Sequence, residues 1–295
     1  MVEAVRRKVE TTLEAQAWRV EFSEDPNALP DGVETIEIAE PRNVIAALSP
    51  LAPSYALAQT GPDQTAGALT VVWLPPGVNA PSTIERDADE WMRDAWAQRK
   101  EAIVRADVRT VRVVWDETRA VMYAGQSDIH YALDAIVRFS VVQKEALALE
   151  AAVRSAWTSI AADADLTHAV RRRDQRRQRH VNQMTVIAAQ RKIAWLRVSR
   201  SIEQLDPAPP DPSKRLFAEL VSAAALYDRM EMLEDPIQFA MDQYELANTR
   251  LTEANQAHKE LVHSIVGYIV IIVLLVLQIL LMMGLDGVHP VAPWV

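Results

Sequence analysis

Six arginines fall within nine residues, Arg171, Arg172, Arg173, Arg176, Arg177 and Arg179, and His180 follows them. The spacing predicts a dense cationic patch on a helix. Successive arginines on a helix point in different directions, so they cannot all serve one ion pair. The chemistry that suits them is capture of a polyanion: an acidic protein, RNA or anionic lipid. A solvated helix face, partly neutralised by Asp174, Asp242, Glu245 and Glu253, accounts for the same pattern equally well. No aromatic residue is interleaved with the arginines. Single-stranded RNA, whose bases stack on aromatic rings, is therefore the least favoured partner.

Catalytic chemistry has little to stand on. The histidines at 130, 168, 180, 258, 263 and 289 show no metal-ligand spacing, and His258 with His263 misses by one the four-residue step that shares a helix face. There is no phosphate loop, nucleophile elbow or paired-glycine fingerprint, and 8 glycines leave little material for cradling phosphates. Asp87, Asp89 and Glu90, like Glu34, Glu37 and Glu40, are of the right type for magnesium, but exposed helix and strand faces explain them more simply. With no cysteine in the chain, disulfides, thiolate metal sites and cysteine nucleophiles are excluded. The expectation is a protein that is not an enzyme, with no catalytic residue, cofactor or metal.

The element that dominates the chain is Ile265 to Leu285, which carries no charge and one strongly polar side chain, Gln278. About 20 apolar residues at roughly 1.5 Å each cross a hydrocarbon core of roughly 30 Å, and a helix satisfies its own backbone there. Arg250 and Lys259 precede the span, whereas residues 286–295 contain no Lys or Arg. That bias places the N-terminal body in the cytosol. Residues 1–14 carry Arg6, Arg7 and Lys8 without an apolar core, unlike a secretory signal. The expectation is a tail-anchored, single-pass protein of a bacterial inner membrane or an organelle membrane.

The rest of the chain is globular in composition, with 49% hydrophobic and 24% charged residues. The predicted fold is an α+β N-terminal domain, then a long α-helical hairpin and coiled-coil stalk, then one C-terminal transmembrane helix. Residues 1–126 form the α+β domain: a helix from Glu3 to Gln16, strands at 17–22, 33–39 and 68–74, and a helix from a Ser82/Glu85 capping box to about Ala106. A hairpin of 110–115 with 120–124 closes it. Trp91, Ala95, Trp96, Ile103 and Val104 supply that helix's apolar face, and 68–74 is the buried central strand. From residue 127 to 205 two long helices follow, 128–162 and a second one after a break at 161–165. Net charge is −7 over 1–126, +5 over 127–205 and −6 over 206–263, so the hairpin is the basic part. A proline-rich linker, 206–212, leads to a helical stalk over 213–264, the span over 265–285 and a short tail, 286–295. Within the stalk one helix ends near Leu233, and Asp235 and Pro236 start the next.

The last helix has the clearest period: Ile237, Ala240, Tyr244, Ala247, Leu251, Ala254, His258, Leu261, Ile265 and Tyr268 alternate steps of three and four. A seam this long must pack, against the chain's own hairpin or against the same helix of another subunit; the first is favoured about two to one. Gln278 lies ten residues beyond Tyr268, close to three turns, near the same face. Tyr244, Leu251, Leu261 and Gln278 are the residues expected to carry a homo-oligomer seam. Alongside the polyanion, the expected partners are the lipid bilayer and a second copy of the chain.

A cytosolic α+β domain, a long helical hairpin, a helix break at Leu233-Glu234-Asp235-Pro236 and a helix from Tyr244 through Leu261 into one span resemble the "required for meiotic nuclear division" family. Of that family's aromatic pair after the proline, Phe239 is present. The resemblance implies an organelle or bacterial inner-membrane protein without catalytic activity, linked in mitochondrial members to translation. The layout is also loosely similar to CorA-type magnesium channels. Those carry two spans and a Gly-Met-Asn signature, whereas here one span ends in Met282-Met283-Gly284-Leu285, which argues against transport. The function expected is a membrane scaffold or sensor whose cytosolic body recruits or detects a partner. The alternative is a membrane-acting effector, for instance of a bacterial defence system, whose span oligomerises to perturb the bilayer.

Overall fold

The computed structural model describes residues 14–29, 32–58, 67–76, 83–99, 103–167 and 172–285. Among the described residues there are seven strands, β1 (Gln16–Ser23), β2 (Glu34–Ile38), β3 (Val44–Leu51), β4 (Leu69–Leu74), β5 (Val104–Val108), β6 (Val111–Asp116) and β7 (Arg119–Tyr123), and six α-helices. The helices are α1 (Pro53–Ala58), α2 (Thr83–Arg99), α3 (Ile129–Asp163), α4 (Gln178–Glu203), α5 (Asp211–Ala223) and α6 (Leu226–Leu285). The chain divides into two compact units, residues 1–155 with 190–238, and residues 156–189 with 239–295.

The first unit is built on one sheet of order β2-β3-β1-β4-β7-β6-β5, antiparallel except where β4 meets β7. Every residue of β4 is buried, as its largely apolar, β-rich sequence predicts. Leu69, Val71 and Trp73 face one core, while Val72 and Leu74 face the other, because side chains alternate along a strand. α1 and α2 cover the second face through Ala56, Ala88, Trp91 and Met92. On the first face lie Ile129, Leu133, Ile136 and Phe139 of α3 with Leu216, Phe217 and Leu220 of α5. Trp115 ties sheet to helix: its indole N–H donates to Ser140 Oγ at 2.7 Å, and its ring meets Phe139 edge-on at 4.9 Å. The start of α3 therefore belongs to the sheet's own core.

The local expectations are corrected in two places. The helix expected to reach Ala106 stops at Arg99, and Ile103 and Val104 do not lie on it: Val104 opens β5, whose alternating burial and pairing with β6, from Val104↔Trp115 to Val108↔Val111, outweigh a helical reading. β3 and α1 were not foreseen. The first expected helix lies outside the described residues except at its end, where Gln16 begins β1. Ser82 of the capping box also lies outside them, as do the side chains of Ala95 and Trp96.

The second correction concerns the stalk. No break occurs at Leu233-Glu234-Asp235-Pro236; Pro236 is inside α6, and the chain turns instead at Ala224 and Ala225, where Ala225 has φ 50°. An interior proline costs a helix roughly 3 kcal/mol. Packing outweighs it, since Leu226 and Met230 before it and Ile237 and Ala240 after it are buried. Met232, whose carbonyl loses its partner, is 67% exposed, so water can take that bond. The turn is fixed by the Ala224 N–H on Leu220 O and the Ala225 N–H on Ser222 O.

The second unit is a small helical body. Ala156 and Ile160 from the end of α3, Leu166, Val181 and Ala188 of α4, and Ala240, Tyr244, Ala247 and Leu251 of α6 form its core. Leu251 is the last fully buried residue of α6, residues 252–258 are exposed or half-buried, and every residue from Lys259 to Met282 is exposed. α6 is the one described helix long and apolar enough to cross a membrane, and none of its most apolar stretch is buried. It fits a single-pass membrane protein.

Candidate functional site

The arginine cluster lies at the corner between α3 and α4 in the second unit. It is not on the long helix where it was expected. Residues 172–177 form a 3-10 segment, and of the five arginines among the described residues Arg179 alone is on α4. Arg171 lies outside the described residues, as do the side chains of Arg172 and Arg173. Arg176 and Arg179 are exposed, whereas Arg177 is turned inward.

What draws Arg177 inward is Asp163, the last residue of α3, whose side chain is only 4% exposed. Its Oδ1 accepts from Arg177 Nη2; its Oδ2 lies 2.8 Å from His180 Nε2 and accepts from the Tyr244 hydroxyl at 3.2 Å. A second bond runs from Arg177 Nη1 to Asp165 Oδ1 at 3.3 Å. Burial alone pulls the guanidinium toward its neutral form, but the bonds to Asp163 and Asp165 outweigh it and hold Arg177 above its ordinary pKa. The clamp also closes the end of α3, whose last carbonyls have no helical partner. Ile160 O accepts from Gln243 Nε2 at 2.8 Å, and Ala162 O from Arg177 Nη2 at 3.4 Å. A cation at a helix C-terminus is where the macrodipole favours one.

Beside the corner runs an open groove of about 820 Å³ between α4 and α6, lined chiefly by Gln178, Asn182, Asn248, Asn255, Gln256 and Lys259. Gln178 Nε2 donates to Asn248 Oδ1 at 2.7 Å, and Asn255 Nδ2 reaches Gln178 Oε1 at 3.5 Å. No carboxylate or imidazole is among the lining residues, so the groove offers hydrogen bonds and one ammonium but no general base.

In the first unit, Asp87, Glu90 and Asp94 line a smaller cleft with Ser54 and Trp91. Among the described residues no three His, Asp or Glu side chains come together as a metal set. Asp89 instead accepts from the Tyr123 hydroxyl at 3.2 Å; burial, with that carboxylate beside it, pushes Tyr123 up to about 12. Glu34 lies 3.6 Å from His130, and Glu40 lies 3.9 Å from Arg200.

The four seam residues separate. Tyr244 and Leu251 are 1% and 0% exposed inside the second unit, so they are spent within the chain, and their assignment to an intersubunit seam is corrected. Leu261 is 50% exposed and Gln278 lies on the bare apolar helix. In the sequence Asp163, the hub of the clamp, falls within the expected helix break at 161–165. Its signal was the spacing: Val153, Ala156, Ile160 and Asp163 continue the steps of three and four, which puts a carboxylate on the buried face of α3. No protein-family model and no curated protein matches this chain.

Proposed function

We propose that the protein is a non-enzymatic scaffold or sensor, held at a membrane by the end of α6, whose body recruits or detects a partner there. The observation that carries this reading is the contrast along α6: the helix is packed to Leu251, then exposed on every side through an apolar stretch long enough to cross a bilayer. A non-catalytic role is supported by the groove's amide lining and by the use of Asp163, His180 and Tyr244 in one brace. Arg250 and Lys259 before the span favour a cytosolic body, in a bacterial inner membrane or an organelle membrane. The test is protease treatment of inside-out and right-side-out vesicles with tags at both ends. The N-terminal tag is expected to be digested only when the cytosolic face is accessible; digestion from the opposite face overturns the orientation, and release of the chain by alkaline carbonate overturns the anchor.

One observation favours a second reading, an oligomeric membrane-acting effector. Leu261, Ile265 and Tyr268 of the seam are exposed and have no partner among the described residues. Dye leakage on induced expression is expected under that reading and not under the first.

A further inference from the structure

We propose that the basic corner of the second unit docks on the anionic lipid headgroups of the leaflet that the body faces; this rests on the membrane-anchored reading. The sequence places the arginines level with Gln243 to Asn248, some 25 to 30 Å from the span at about 1.5 Å per residue, too far for lipid contact. The structure brings the corner closer. Gln178, between Arg177 and Arg179, bonds Asn248 and also reaches Asn255. Asn255 is ten residues before Ile265, about 15 Å along a helix. A headgroup layer occupies roughly 5 to 8 Å outside each face of the hydrocarbon core. The remaining gap runs from about 10 Å or less at the level of Asn255 to about 20 Å at that of Asn248, and an extended arginine side chain shortens it toward the Debye length of about 8 Å at physiological salt.

Direction agrees with distance. Ile160 and Asp163 of α3 meet Gln243 and Tyr244, and α4 begins beside Asn248 and Asn255, so the corner that joins α3 to α4 is at the span-side end of this unit. Residues 164–180 contain six arginines against two aspartates, Asp165 and Asp174. Arg177 is held by Asp163, which fixes the turn, while Arg176 and Arg179 on either side stay exposed. Lys259, exposed on α6 still nearer the span, adds to the positive field; Glu253 and Glu260 offset part of it. A lipid surface suits this set better than RNA, because no aromatic residue is interleaved for base stacking. The tether also keeps the leaflet permanently at high effective concentration, so a few weak contacts suffice.

The chain has no cysteine, so Ala164→Cys at the exposed corner gives a single labelling site. The labelled full chain is placed in nanodiscs of phosphatidylcholine, with or without phosphatidylglycerol, each carrying a headgroup-attached quencher lipid. Quenching is expected to be stronger in anionic discs and to fall with added salt. Arg176→Gln with Arg179→Gln, both exposed and outside the brace, is expected to lower the docked-to-free ratio about 25-fold, roughly fivefold for each charge near the surface. Equal quenching in both compositions, or an anionic response unchanged by the double substitution, overturns the proposal. So does salt-sensitive capture of RNA or an acidic protein through the same arginines without any lipid dependence. A chain that co-purifies with neither disc overturns the anchored reading itself; one that co-purifies but ignores lipid charge overturns this inference alone.

Discussion

Two stretches of α6 carry the same repeat and meet opposite fates. Ala240, Tyr244, Ala247 and Leu251 are almost wholly buried against α3 and α4, whereas Leu261, Ile265 and Tyr268, on the same three-and-four spacing, are 50% exposed or more. The period reports which face of a helix is apolar, and it is silent about what covers that face. Coverage depends on where the neighbouring helices end. The α3–α4 corner closes near Gln178 with its brace on Asp163, and past that level Leu261, Ile265 and Tyr268 are exposed among the described residues.

The contrast breaks most sharply at Leu251. Leu251→Asp removes a fully buried side chain and leaves a carboxylate in its place, at an expected cost of more than about 4 kcal/mol to the second unit. Leu261→Asp, ten residues on, is expected to change stability by less than about 0.5 kcal/mol. Hydrogen exchange over residues 156–189 is the measurement: loss of protection in the first variant alone fits the two environments, and similar protection in both would mean that Leu251 is not a core residue.

Asp163 sharpens the same comparison from the polar side. Asp163→Asn keeps the shape but takes the charge from Arg177 and weakens the acceptor for Tyr244, with an expected loss of about 2 to 3 kcal/mol in thermal unfolding. Arg177 retains Asp165 and some water contact, so the loss should stay below that of Leu251→Asp. A double-substitution cycle with Arg177→Gln should give a coupling of at least about 0.5 kcal/mol. Strict additivity would show that the two residues do not act together.

The parts legible in the sequence were those whose local signal agreed with their final packing. β4 is largely apolar and is buried on both faces; α3 lacks Pro and Gly and keeps its spacing from Ile129 to Ile160. β3 was hidden by Pro50, which usually marks a strand end. The register explains its place: β2 pairs with β3 only as far as Leu48, so at Pro50 one side of the strand is open and the missing N–H leaves no bond unmade there. Pro236 misled in the other direction, because a favoured first-turn position was overruled by burial on both sides of it. At the corner, composition revealed the arginines but not their division, since that depends on Asp163, eight residues or more away and brought back by the turn.

The smallest effect belongs to the bare half of the repeat. Continued into the span, the seam falls on Ile272, Leu275, Ile279 and Met282, all exposed. Gln278 is ten residues past Tyr268, and at about 100° per residue this leaves it some 80° short of three full turns, so it flanks the seam beside Ile279. An amide in that place can bond the same amide on a second copy, and such contacts are worth about 1 kcal/mol in a bilayer because the separated helices also find partners. In the oligomeric reading, Gln278→Leu weakens self-association only about fivefold, while Leu261→Asp, on the seam itself, weakens it more. Energy transfer between labelled full chains across a dilution series in mild detergent reads both. If neither substitution moves the curve, and light scattering gives a protein mass near 33.0 kDa at every concentration, the bare repeat pairs with nothing but lipid and water, and the effector reading loses the observation that favours it.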